Sequence, residues 1–115
     1  MNFSKESFLL AANHYKGVSH QDLALTYNVA TFLTVPSNAK YAIVQIEANI
    51  LATVTDTTKV GRYWVDGSDP SLTSGIYIGI GSILDMYDFH NLKKWKFIRT
   101  DNTATVITLR IQYYG

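Results

Sequence analysis

The side chains best suited to metal binding or to proton transfer near neutral pH are His14, His20 and His90. No two of them have ligand spacing, and no fixed set of Asp or Glu joins them, so solvated histidines are the simpler reading and no metal or cofactor is expected. Four aspartates could supply the hard oxygens that calcium prefers: Asp66 and Asp69 around Gly67, then Asp85 and Asp88. The calcium-loop pattern of an EF-hand is missing, and an Asp beside Gly and Pro more often bonds the backbone of its own turn. Gly75, Gly79 and Gly81 form a G-x-x-x-G-x-G run without the lysine and following helix of a phosphate loop, so backbone geometry explains them better. The serines lie in no G-x-S-x-G elbow, and there is no cysteine to pair with a histidine. No catalytic residues are expected, and the chain does not read as an enzyme. Tyr63, Trp64, Tyr77, Trp95 and Tyr113 could stack on sugar rings, but alternating strands bury half of their aromatics, which sends most of these to a core.

The elements that must position these residues are strands. Residues 60–81 read as strand, loop and strand. Tyr63, Trp64 and Val65 favour an extended backbone. In the loop, Gly67 is free to take a positive φ, Asp69 can bond the backbone ahead, and Pro70 fixes its own φ. Ile76, Ile78 and Ile80 then alternate with Tyr77 and Gly79 as one inward face. Tyr41–Leu51 is the clearest strand, with Ala42, Val44, Ile46, Ala48 and Ile50 on one side and Gln45, Glu47 and Asn49 on the other. Leu23, Leu25, Tyr27 and Val29 alternate, and Phe32, Leu33 and Val35 continue the run after a change of phase near Thr31 that suggests a bulge. Thr53–Lys59 is a loop or strand end. Ile83–Tyr87, Lys94–Thr100 and Ala104–Tyr114 are further strands, with a turn at Asp88–Leu92 and a tight connection at Asp101–Thr103. In the last strand Ile107, Leu109, Ile111 and Tyr113 face inward. Seven or eight short strands at this spacing predict an all-β fold, an antiparallel β-sandwich or jelly-roll-like single domain.

Residues 1–20 stand apart as an N-terminal arm or short helix, with residues 21–115 as the sandwich. Ser4 can cap a helix ending at Lys16 with Gly17 beyond it, and Phe8, Ala11, Ala12 and Tyr15 give it one apolar face. So short a helix must pack on something, which makes Phe8, Leu9 and Tyr15 the candidate interaction residues.

Composition narrows the partners. Ten basic and nine acidic residues leave a net charge of +1, which gives no footprint for nucleic acid. Phe8–Ala12 is too short for a signal peptide or membrane span, so no membrane is expected, and the absence of cysteine suits a reducing compartment. Charged residues are 17% of the chain, below the roughly 25% usual for soluble proteins, and eight tyrosines add amphipathic surface. Such a chain can hide part of its surface in an assembly.

Three segments together carry a resemblance. They are Tyr41-Ala42-Ile43-Val44-Gln45-Ile46-Glu47, then Arg62-Tyr63-Trp64-Val65-Asp66-Gly67 through Asp69-Pro70-Ser71 to Gly75, and Lys96-Phe97-Ile98-Arg99 with the closing strand to Tyr113-Tyr114. Over about residues 29–114 the chain resembles small β-rich structural proteins of tailed bacteriophages. The threonine-rich Thr53–Lys59 and the N-terminal segment depart from that pattern. The resemblance implies a virion structural protein made in the host bacterial cytoplasm, first of all a capsid decoration or cement subunit that stabilises the head. Its partners would be the major capsid protein or other virion subunits, with self-association into a homo-oligomer such as a trimer. A tail or neck component and a carbohydrate-binding module are the alternatives.

Overall fold

The computed structural model describes residues 16–49, 56–104 and 106–115. Among them lie eight strands and one short helix: β1 (Gly17–Ala24), β2 (Thr31–Phe32), β3 (Tyr41–Ala48), β4 (Gly61–Trp64), β5 (Ile76–Ile78), β6 (Ile83–Tyr87), α1 (Phe89–Lys94), β7 (Lys96–Arg99) and β8 (Ile107–Tyr114). β1 pairs with β8, β2 with β7, β3 with β6 and β4 with β5. The chain is therefore one long hairpin doubled back along its length, with residues 60–81 at the tip. Two further antiparallel pairings, β3 with β8 and β4 with β7, roll it into two sheets of order β1-β8-β3-β6 and β2-β7-β4-β5. This is the strand order of an eight-stranded jelly roll.

The core lies between the sheets and follows the alternation of the sequence. Val44, Ile46, Ile107, Leu109, Ile111 and Tyr113 are buried together from the first sheet, against Tyr63, Ile78 and Phe97 from the second. The ring centroids of Tyr63 and Phe97 are 5.9 Å apart, and those of Trp95 and Phe97 are 5.1 Å apart. The tip loop turns where expected: Gly67 has φ 89°, and the Asp66 carboxylate accepts from Ser68 N–H at 3.0 Å. Asp69 acts differently from its expected role and pairs with Lys96 Nζ at 2.8 Å.

Four local readings change. The first strand begins at Gly17 rather than near Leu23, because Lys16 and Gly115 exchange backbone hydrogen bonds of 3.1 and 2.8 Å that extend the pairing to the chain's last residue. It also stops at Ala24: Asn28 takes φ 61°, the chain crosses to the other sheet, and Tyr27, Val29 and Phe32 end up exposed instead of facing inward. Ile76 is exposed as well, since it stands at the end of β5 beyond the reach of the core. Asp88–Leu92 is more than a turn. Asp88 caps α1 by accepting from His90 N–H at 3.3 Å, and Lys93 and Lys94 occupy the last turn, so Lys94 belongs to the helix and the strand starts at Lys96. The candidate residues Phe8, Leu9 and Tyr15, with His14 and the helix expected before Lys16, lie outside the described residues.

Candidate interaction face

The second sheet positions the most unusual surface. Strand alternation sends Tyr63 and Phe97 inward, so their neighbours face out. Register places Phe32, Lys96 and Trp64 in one row across β2, β7 and β4, and Ile98, Arg62 and Tyr77 in the next row across β7, β4 and β5. The outer side of this sheet is thus built of three aromatic rings, one isoleucine and two cations. Phe32 is 63% exposed, Tyr77 is exposed, Trp64 is half-buried and Ile98 is buried.

The cations are already engaged. The Arg62 guanidinium lies 3.8 Å from the Tyr77 ring centroid, and its Nη1 donates to Gly75 O at 2.8 Å. Lys59 Nζ approaches the same ring at 5.1 Å. Arg62 Nε is buried without a hydrogen-bond partner. Arg62 is thus held against the Tyr77 ring within the row, by a cation–π contact and a hydrogen bond to the tip loop.

All six exposed large apolar residues among the described ones belong to this sheet or to the segments entering and leaving it: Tyr27, Val29, Phe32, Val65, Ile76 and Tyr77. None lies on the other sheet. Its outer side carries His20, Asp22, Gln45, Arg110 and Gln112 around a shallow depression of about 250 Å³. Arg110 there bonds Asp22 at 3.1 Å and also Glu47. At one end of that side Tyr41 is packed between Tyr87 and Tyr114, with centroids 4.4 and 5.7 Å away, and donates to buried Asp85 at 3.2 Å. Burial, with the Asp85 charge beside it, pushes the Tyr41 phenol well above its ordinary range.

The residues picked for chemistry do not come together. His20 is on β1 and His90 in α1. Asp66 closes a turn, Asp69 meets Lys96, Asp85 meets Tyr41, and Asp88 caps a helix. Among the described residues no group of three or more His, Asp or Glu is placed to hold a metal ion, and no helix is long and apolar enough to cross a membrane. Of the five aromatics considered for stacking, Tyr63, Trp95 and Tyr113 are core, while Trp64 and Tyr77 stay on the outer face. Phe32 joins them there unforeseen. The only signal in the sequence was the change of phase near Thr31. No family model, curated protein or solved structure matches the chain.

Proposed function

We propose that this chain is a non-catalytic structural accessory subunit of a bacteriophage particle, in the first place a decoration or cement protein of the head. The observation that carries the reading is that the exposed large apolar residues described lie on the second sheet or in the segments entering and leaving it, with Phe32 and Tyr77 on its outer side, while the other sheet carries paired charges. A monomer that only needed solubility would have no use for so one-sided a surface. The resemblance of residues 29–114 to phage structural proteins points the same way, and jelly rolls recur among viral capsid domains, although that is analogy of fold alone. In this reading the face of Phe32, Trp64 and Tyr77 meets the shell, with Lys59 beside Tyr77 meeting acidic groups. Binding then favours the assembled shell by mass action.

The test is co-sedimentation with decoration-free shells. Phe32→Ser with Tyr77→Ser should lower shell binding at least tenfold while leaving the thermal melt in place, since neither ring is in the core. Unchanged binding of a folded double variant overturns the docking face. Particles imaged by cryo-EM separate a head position from one in the tail or neck. A second reading, a carbohydrate-binding module, is favoured by the same two rings with Trp64, because flat aromatic surfaces stack on sugars; binding on a glycan array but not to shells would establish it instead.

A further inference from the structure

β1 is the exception among the sheet edges. The other three edge strands are short: β2 has two residues, β5 three and β6 five, whereas β1 has eight. Short edges, lysine, proline and bulges are the usual protection against edge-to-edge pairing. β1, reading GVSHQDLA, has neither lysine nor proline, and its one irregularity lies at the very start, between Gly17 and Ser19. Leu25 N–H donates to Ile107 O at 2.9 Å, which sets the alternation of an antiparallel ladder. Leu23 and Gln21 therefore turn their backbone groups toward β8, and Ala24, Asp22 and His20 turn theirs away from it. Among the described residues β1 pairs with no strand but β8.

We propose that β1 pairs antiparallel with β1 of a second copy across a two-fold axis at Gln21, joining the two first sheets into one of eight strands. The outward groups of even-numbered residues require even-to-even pairing, which leaves few registers. Centring on Asp22 sets two carboxylates directly opposite each other, and centring on His20 sets two imidazoles together. Centring on Gln21 places His20 opposite Asp22 of the other copy, twice over, on the same side of the sheet. Setting an imidazole opposite a carboxylate, rather than two carboxylates or two imidazoles together, selects that register and with it the partner, a second copy of this chain. Asp22 keeps Arg110 at 3.1 Å within its own chain, so it can serve both. These residues take no part in the aromatic face of the second sheet, so the pairing stands or falls without it.

Sedimentation velocity of the purified chain over a dilution series, without shells, is the test. A dimer should dissociate reversibly. His20→Asp sets like charges opposite each other at two sites and should weaken it about tenfold, while His20→Lys should tighten it. His20 faces neutral Gln112 across β8, so neither change should disturb the monomer. His20→Pro removes one outward N–H, which an edge strand tolerates, and should abolish the dimer with circular dichroism unchanged. Should that variant unfold, the two charge variants decide alone. A monomer at every concentration overturns the proposal, and so does a dimer indifferent to the sign of the charge at position 20.

Discussion

The two sheets bury equivalent inner faces but differ in their outer ones: the first is polar around Arg110, with the Tyr41, Tyr87 and Tyr114 cluster at one end, and the second carries the exposed Phe32 and Tyr77 rings. In the first, Arg110 sits between Asp22 and Glu47, with Gln45 and Gln112 nearby, and water can solvate what the ion pairs leave free. In the second, Phe32, Trp64, Tyr77 and Ile98 take the corresponding outward positions, and Lys96–Asp69 is the one salt bridge there among the described residues. Surface ion pairs add little stability, on the order of 0–1 kcal/mol each. The polar side calls for no more than solubility, while the aromatic side is the one that the proposed function assigns to a partner. Cores are shared between sheets, whereas outer faces are free to specialise.

The comparison can be broken most forcefully at the inner face. Ile46→Ala or Leu109→Ala should cost roughly 2–5 kcal/mol, because both are fully buried between the sheets. Gln45→Ala, one residue from Ile46 but on the outer side, should stay within about 0.5 kcal/mol. Equal losses in chemical denaturation would mean that inside and outside have been misassigned.

Smaller effects are expected from backbone geometry under the aromatic face. Gly67 has φ 89° and only Lys94 Cγ near a new Cβ, at 3.9 Å, so Gly67→Val should cost about 1–2 kcal/mol through the backbone alone. Gly75 has φ 131°, and a Cβ there would stand 2.9 Å from Arg62 Cβ. Gly75→Val should therefore lower the melting temperature further than Gly67→Val and also lift Arg62 from Tyr77. The reverse order would show that Arg62 is not held by this turn.

The smallest effect is electrostatic. Hydrogen bonds from Ser68 hold the Asp66 carboxyl below its usual range, and those from the Thr58 hydroxyl and backbone do the same for Asp56. A depressed folded value stabilises the fold above the unfolded pKa, and the contribution is lost as pH falls through the folded one. Stability should accordingly be flat from neutral pH down to about the ordinary carboxylate value of 3.8 as far as these two groups are concerned, and then fall. Melts of Asp66→Asn across that range should lose part of the acid dependence; an unchanged profile would remove Asp66 from it.

Much of this was legible in the residues. Period-two alternation determined the inward faces of Tyr41–Ala48 and Ile107–Tyr114, since a pleated strand with one wet side admits no other arrangement, and the Asp66-Gly67 turn followed from local chemistry. The Asp88 cap with Lys93 and Lys94 at the far end was a readable helix signature for α1, masked by the short length of the element. What no local pattern contained was the fate of Phe32, Ile76 and Trp95. An apolar residue in a strand looks the same whether the second sheet covers it or ends short of it. Only the doubling of the hairpin decided that Trp95 is sealed in the core while Phe32 and Tyr77 meet solvent, because burial depends on which distant strand arrives overhead, and that is a property of the closed roll.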